Sequence, residues 1–307
     1  MKLPVIATLA VLLASTAVAA EKTETIQKSF PSQPGKVVLV SGGPLDVHVR
    51  ASDIPDIRVN VELVAAAFSE KQAKAWVDAR MPTFEDTEGE LRITAPDPGG
   101  VSLFKGVLGT RARIEIVVPP SARPDLSTSS GTLRVEGEYP DAKPLRLRSA
   151  SGDIEFAGWA PEMEARSTSG GIQLRASRTI DKLLARSASG NVELTGGARK
   201  VNCDTAGGDV HLAALLGPAV INTTSGNVVA RFDALAAGDA VRITTSSGKV
   251  RVSLPPGTEP GGELASTKGD IRSTLPGLSD PKAVKLELSG KGPKVFVTTI
   301  SGKIELL

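Results

Sequence analysis

Apolar residues in the second half of the chain recur at fixed distances from a repeated Ser-Gly or Gly step. The unit is Ser/Thr-x-Ser-Gly-x-apolar-x-apolar, and nine copies run from TSSGTLRV at 128–135 to TISGKIEL at 299–306. Nine copies at intervals near 20 residues predict a repeat architecture. We call the glycine of each copy a corner glycine. The corner glycines are Gly131, Gly152, Gly170, Gly190, Gly208, Gly226, Gly248, Gly269 and Gly302.

Two apolar columns flank the corner glycines. One column lies two residues after the glycine, as in Ile154, and the other lies five residues before it, as in Leu147. Polar residues alternate with these positions, which predicts short strands buried on one face. The phase of the alternation changes at the Ser-Gly step, so the chain turns there. We expect glycine at this step because it tolerates the backbone angles that a corner needs.

Two architectures fit this pattern. In a β-solenoid each repeat is one coil, and equivalent positions stack on neighbouring parallel strands. In an antiparallel β-meander each Ser-Gly step is a hairpin tip. The small Ser or Thr three residues before each corner glycine suits stacked coils. The sequence therefore favours an all-β protein, a β-solenoid-like stack of about nine repeats of ~20 residues each.

The first part of the chain has a different organisation. We predict a signal peptide at 1–20, an N-terminal β-rich region at 21–125, and the β-strand repeat domain at 126–307. One helix is expected at about 69–80, because Ser69 and Gln72 form a capping box and Trp76 lies on its apolar face as a packing residue. The loop 96–110 is expected to cap one end of the stack, or else to present an apolar patch. The segment 275–297 breaks the repeat spacing and is expected to cap the other end.

The N-terminus has the pattern of a secretory signal peptide. Lys2 precedes an apolar run from Val5 to Ala14, and small residues at 17–20 precede Glu21. The run is too short to span a bilayer comfortably. We therefore expect a bacterial periplasmic or secreted protein that does not span the membrane after cleavage.

Composition narrows the function classes. The formal net charge is only +2, which removes the charge argument for a nucleic-acid binder, so no nucleic-acid partner is expected. Aromatic residues make up 3% of the chain, so the core must be aliphatic. The two histidines, His48 and His211, lie on outward positions of separate strands. We predict no metal site, no cofactor and no catalytic residues.

The repeated polar residues favour structural roles. The serines before the corner glycines occur in too many copies for a nucleophile, and no G-x-S-x-G elbow is present. The residue after each glycine is often Asp or Asn, but Lys249 and Lys303 in that column argue against a calcium ladder. Cys203 falls in a core column and is expected to be a buried thiol, with pairing between chains as the alternative.

One surface feature is a candidate binding site. Arg148, Arg166 and Arg186 each lie four residues before a corner glycine, on an outward position. Stacked coils place them side by side, so they need counter-charge. Glu155 and Glu193 are expected to supply it across the corner. The alternative is a phosphate, sulfate or uronate polymer, because guanidinium groups bind such anions bidentately.

The chain resembles a bacterial family at the level of its whole pattern. The stretch EDTEGELRIT follows the helix, RIEIVVPPSARPDLSTSSG leads into the repeats, and tandem Ser-Gly-Asp/Asn-Ile/Val units follow. This order resembles the putative-adhesin family of extracytoplasmic β-strand-repeat proteins, a domain of unknown function. The resemblance implies a β-solenoid-like fold outside the cytoplasm and a role in adhesion or envelope interaction.

The sequence thus favours a non-enzymatic, adhesin-like or scaffold protein whose partner is an envelope glycan or an envelope protein. Two alternatives stay open. One is a polysaccharide-acting enzyme built on a β-helix, which would need a local break in the repeat with clustered carboxylates. The other is an envelope-stress signalling component that binds a membrane protein.

Overall fold

The repeats build two long β-sheets that enclose an aliphatic core. The computed structural model describes residues 20–98, 106–275 and 284–307, so the predicted signal peptide lies outside the described residues except for Ala20. Each sheet contains 13 strands, and nearly all pairs between repeats are parallel. The parallel pairs confirm the β-solenoid-like fold. The antiparallel β-meander is wrong, because Ile154 pairs in parallel register with both Leu133 and Ile172.

The strands are numbered in chain order. Sheet A contains, in spatial order, β1 (Ala20–Pro31), β4 (Asp56–Ala67), β7 (Val107–Val118), β3 (Asp46–Ala51), β9 (Leu133–Glu138), β11 (Ile154–Trp159), β13 (Ile172–Ala176), β15 (Val192–Thr195), β17 (Val210–Leu215), β19 (Val228–Phe232), β21 (Val250–Ser253), β26 (Ile304–Leu306) and β23 (Ile271–Ser273). Sheet B contains β24 (Lys285–Ser289), β22 (Gly261–Ser266), β25 (Lys294–Thr299), β20 (Ala240–Ser247), β18 (Ala219–Ser225), β16 (Val201–Thr205), β14 (Lys182–Ser187), β12 (Glu162–Ser167), β10 (Leu145–Ser149), β8 (Arg123–Thr128), β2 (Val37–Ser41), β6 (Glu90–Thr94) and β5 (Thr83–Asp86).

Each coil contributes one strand to each sheet. In the repeat of Gly152, β10 of sheet B leads through the Ser-Gly corner into β11 of sheet A. The two predicted core columns point between the sheets, where Leu147 and Ile154 are fully buried. The outward positions of sheets A and B therefore lie on opposite faces of the molecule.

Close packing at the corner explains the repeated glycine. A Cβ atom on Gly170 would overlap the carbonyl oxygen of Gly152 in the preceding coil, and a Cβ on Gly152 would overlap that of Gly131. Of the nine corner glycines, only Gly226 and Gly248 have a clearly positive φ. The expected reason, tolerance of special backbone angles, is therefore wrong for most copies. The glycine is required because successive corners stack too closely for a side chain.

Polar side chains complete the corner. The Ser or Thr three residues before each corner glycine is buried, and the Ser187 hydroxyl accepts a hydrogen bond from the backbone N–H of Gly190 at 2.9 Å. The Asp or Asn after the glycine links neighbouring coils. Asp153 Oδ1 accepts from the N–H of Gly171 at 2.7 Å, and Asn191 Oδ1 accepts from Asp209 at 2.9 Å. These contacts give the Asp and Asn column a structural role, which is to join successive coils.

The coils do not stack strictly in sequence order. The last coil, β25/β26, lies between β20/β21 and β22/β23. The N-terminal region adds two coils that the repeat pattern did not show, β2/β3 and β6/β7, and β2/β3 lies between β6/β7 and β8/β9. The N-terminal strands are thus continuous with the repeat stack in both sheets.

The helix and the irregular segments lie near the ends of the stack. The predicted helix is α1 (Glu70–Asp78), capped by Ser69, with Trp76 buried as a packing residue. In the segment 275–297, β24 pairs antiparallel with β22 at the edge of sheet B, but Lys294 to Val297 lie in β25 inside the stack. Residues 276–283 lie outside the described residues. So do residues 99–105 of the predicted loop 96–110, whose last four residues instead begin β7.

Candidate binding groove

The three predicted arginines lie side by side on sheet B. Arg148 on β10 pairs in register with Arg166 on β12, which pairs with Arg186 on β14. Neighbouring strands in a sheet are about 4.8 Å apart, so the guanidinium groups form a short row across three coils. We call Arg148, Arg166 and Arg186 the arginine row. Their side chains are 41%, 45% and 46% exposed.

Each member of the arginine row contacts a carboxylate on its own face of sheet B. Arg148 Nη1 lies 2.6 Å from Asp125 Oδ1, Arg166 Nε lies 2.7 Å from Glu164 Oε1, and Arg186 Nε lies 3.1 Å from Asp204 Oδ2. Arg146 also lies 3.7 Å from both Asp125 and Glu164, so the three carboxylates are shared among four arginines.

The prediction that Glu155 and Glu193 supply the counter-charge for the arginine row is wrong. Both belong to sheet A, where Glu155 pairs with Arg134 at 2.9 Å and Glu193 accepts from the Gln173 amide at 3.1 Å. The corner turns the chain from one outer face to the other, so the core separates these carboxylates from the arginine row.

The arginine row lines a shallow groove with a volume of about 640 Å³. Serine and threonine residues form much of the remaining lining, including Thr168, Thr224 and Thr244. Asp204 and Asn222 continue the row on the next two coils, and the Asn222 amide donates to Asp204 Oδ1 at 2.8 Å. The groove thus combines guanidinium, carboxylate and amide groups with serine and threonine residues, and its guanidinium groups are the ones suited to anionic ligands.

Sequence reasoning missed Asp125, Glu164, Asp204 and Asn222. Asp204 and Asn222 lie four residues before Gly208 and Gly226, so they occupy the same column as the arginines. Asp125 and Glu164 lie in the column two residues earlier, which is also outward. Following these two columns through every repeat would have found all four side chains.

The other singled-out residues lie away from the groove. His48 and His211 share one outward column of sheet A but are five strands apart, about 24 Å at the usual strand spacing. Cys203 is fully buried, and burial raises the pKa of its thiol to about 12. Over the described ranges, no group of three His, Cys, Asp or Glu residues is placed to hold a metal ion. In the same part of the chain, no helix is both long and apolar enough to cross a membrane.

Comparison with solved structures finds proteins from bacteria with a similar fold. A putative lipid binding protein of Parabacteroides distasonis is similar at a TM-score of 0.54 and 14% identity, over 93% of this chain and 96% of that one. A putative adhesin of Bacteroides fragilis is similar at a TM-score of 0.43 and 12% identity, over 92% of this chain and 97% of that one. No curated protein matches the chain. The family model described as Toastrack DUF4097 matches residues 46–306, so the chain belongs to the Toastrack DUF4097 family.

Proposed function

We propose that this chain is a non-enzymatic, adhesin-like binding module of the bacterial cell envelope. Its sheet B groove binds an anionic envelope polymer through Arg148, Arg166 and Arg186. The observation that carries the proposal is the in-register row of these three arginines along a groove lined with serine and threonine residues. The signal peptide predicted at 1–20 supports a place outside the cytoplasm.

A repeating ligand suits a repeating site. The arginines recur at the strand spacing of about 4.8 Å, so a linear polymer with regularly placed carboxylate, sulfate or phosphate groups can contact several of them together. Linked contacts strengthen one another, because each contact after the first is intramolecular. The hydroxyl groups of Thr168 and Thr224 add neutral hydrogen-bonding partners for sugar hydroxyls.

The ion pairs of the arginine row leave room for a ligand. Each guanidinium carries five N–H donors, and its closest contact uses only one of its nitrogens. Half-exposed ion pairs contribute only about 0–1 kcal/mol to stability. A polymer anion can therefore share or replace the contacts with Asp125, Glu164 and Asp204 at small cost.

The named neighbours guide the choice of probes. The Parabacteroides distasonis protein is named a putative lipid binding protein, and the Bacteroides fragilis protein a putative adhesin. Lipopolysaccharide carries phosphate on a lipid and sugar scaffold, whereas a polyuronate carries carboxylate on sugar alone. The shared requirement at the groove is a repeated anion on a sugar chain.

The test is binding of the purified chain to polygalacturonate, lipopolysaccharide and peptidoglycan, at low and physiological salt. We expect saturable binding to at least one anionic polymer. Changing Arg148, Arg166 and Arg186 together to Gln should weaken it at least about tenfold, because each lost hydrogen bond to a charged group is worth about 1.5 kcal/mol or more.

A matched control variant has the same change in net charge, but on the opposite face of the molecule. Arg113, Arg134 and Arg251 lie on sheet A, are similarly exposed, and each pairs with a glutamate. Changing these three to Gln should leave binding within about threefold of the wild type, because the groove is intact. Equal losses in both variants, no binding to any polymer, or shortening of the polymer during incubation would overturn the proposal.

A further inference from the structure

The outermost strands of the two sheets differ greatly in length. At three of the four sheet edges the last strand is short: β23 has 3 residues, β24 has 5 and β5 has 4. Short edge strands are a common protection against unwanted pairing. The fourth edge, β1, has 12 residues and pairs along its whole length with β4. Among the described residues, no strand pairs with its outer side.

An exposed edge of this length is a template for another strand. One side of β1 hydrogen-bonds to β4, and on the other side alternate backbone N–H and C=O groups point outward. The strand contains no proline before its last residue, Pro31, and no irregularity in its register with β4. A second β-strand can therefore add along all of β1.

Symmetry limits how two copies of β1 can pair. When a two-fold axis relates two antiparallel strands, the axis is perpendicular to the sheet. Rotation about it maps each face of the sheet onto itself, so inner residues stay on the inner face and outer residues on the outer face. Side chains alternate between the faces, so residues opposite each other must have numbers that differ by an even amount. The two strands can thus be centred on a residue but not between two residues.

Charge and the length of the overlap together select one of these registers. Pairing centred on Thr25 places Lys22 opposite Lys28, and pairing centred on Glu24 places that carboxylate opposite itself. Two registers bring opposite charges together. Pairing centred on Thr23 places Lys22 opposite Glu24 twice but overlaps only residues 20–26, whereas pairing centred on Ile26 places Glu24 opposite Lys28 twice and overlaps residues 21–31. Opposite charges across a strand pair stabilise it, and like charges destabilise it. Glu24 is 40% exposed in its contact with Lys22, so its carboxylate is accessible to a partner.

We propose that β1 pairs with β1 of a second copy of this chain, antiparallel and centred on Ile26. The pairing joins the two copies of sheet A into one continuous sheet, with Glu24 of each copy facing Lys28 of the other. It leaves sheet B and its arginine row outside the contact.

Charge exchange tests this register. The processed chain should form a dimer in sedimentation velocity that dissociates on dilution. Glu24→Lys or Lys28→Glu alone turns two attractive pairs into two repulsive pairs, which should weaken the dimer about tenfold. The double variant Glu24→Lys/Lys28→Glu should restore the affinity to within about threefold. The control Glu21→Lys faces Pro31 in this register and should leave the dimer unchanged.

A crosslink gives a second measurement. Ile26→Cys should form an intermolecular disulfide under mild oxidation, because residue 26 faces itself across the two-fold axis. Thr23→Cys faces Ser29 and should not crosslink to itself. A chain that stays monomeric at all concentrations would overturn the proposal. So would a dimer whose affinity is unchanged by both single charge reversals. Crosslinking of Thr23→Cys in preference to Ile26→Cys would do the same.

Discussion

Neighbouring glycines in one corner have different tolerances for a side chain. A Cβ on Gly170 would overlap the backbone of Gly152, whereas a Cβ on Gly171 would meet its nearest atom, Asp153 Oδ1, at an ordinary 3.5 Å. We predict that Gly170→Ala lowers the free energy of unfolding by about 2 kcal/mol or more, because the coils must move apart. Urea unfolding followed by circular dichroism measures the change.

The adjacent glycine is the matched control. Gly171→Ala should be neutral, or stabilise the protein by up to about 1 kcal/mol, because alanine reduces the freedom of the unfolded chain. Equal losses of stability at 170 and 171 would show that the corner does not depend on close approach of the coils.

The buried thiol gives a second test at the residue scale. Burial raises the pKa of Cys203 to about 12, so very little thiolate is present at pH 8. We predict that iodoacetamide leaves Cys203 unmodified in the folded protein for hours and alkylates it rapidly in 8 M urea, as mass spectrometry would show. Rapid alkylation without urea, or a disulfide-linked dimer through Cys203, would contradict its place in the core.

Single residues could be predicted from the sequence where the repeat averages over many copies. The core columns, including Cys203, are confirmed. They could be predicted because the same apolar position recurs in each coil. The reason for the glycine was not predictable, because periodicity shows where a residue recurs but not what lies above it. The overlap that a Cβ on Gly170 would make with Gly152 depends on how closely the coils stack, which is a property of the three-dimensional structure.

At the scale of elements, one ionic cluster joins β21 to β26. Glu305 on β26 contacts Lys303 Nζ at 2.8 Å, Lys249 Nζ at 3.0 Å and Arg251 Nε at 2.9 Å. Hydrogen bonds from Lys303, Lys249 and Arg251 lower the pKa of Glu305 from 4.5 to about 2.

The lowered pKa of Glu305 predicts a pH-dependent stability. A carboxylate with a lower pKa in the folded state stabilises the fold above its unfolded pKa, and this contribution disappears as the pH falls through the folded value. The melting temperature of Glu305→Gln should therefore lie below that of the wild type at pH 7, with the gap closing between about pH 4.5 and 2. Glu193→Gln, which loses only a contact with the Gln173 amide, should show a much smaller gap. A gap for Glu305→Gln that is constant down to pH 2 would contradict the cluster.

The elements that sequence analysis missed are those with an interrupted corner. Between β2 and β3 the spacing of the core columns is kept, because Val40 and Val47 are seven residues apart, as are their partners Leu126 and Leu133. Leu45, however, takes the place of the corner glycine. Between β6 and β7 the corner is replaced by residues 95–106. In both cases the strands are regular, but the first corner lacks the glycine that marks a repeat and the second lacks the repeat spacing.

At the scale of the whole molecule, the order of the coils is a tertiary property. β20, β25 and β22 carry equivalent columns, so each pairing among them satisfies the same apolar pattern. The insertion of β25/β26 ahead of β22/β23 could not be predicted for that reason. The error over Glu155 and Glu193 also arises here, because only the two-sheet arrangement puts sequence neighbours on opposite faces.

The two faces of the molecule have separate roles in this account. Sheet B carries the arginine row and its groove, whereas β1 at the end of sheet A offers the edge for a second copy. A dimer through β1 would present two grooves, which increases the strength of attachment to a long polymer. The binding role, however, requires only the groove.

The salt dependence of polymer binding tests the central claim most directly. A polyanion bound through several arginines displaces counterions, so the logarithm of the dissociation constant rises with the logarithm of salt concentration. We predict that changing Arg148, Arg166 and Arg186 to Gln reduces this slope by about 2 to 3, or about 1 for each lost contact, while the sheet A triple variant keeps the wild-type slope. Equal slopes in all three proteins would contradict binding at the arginine row.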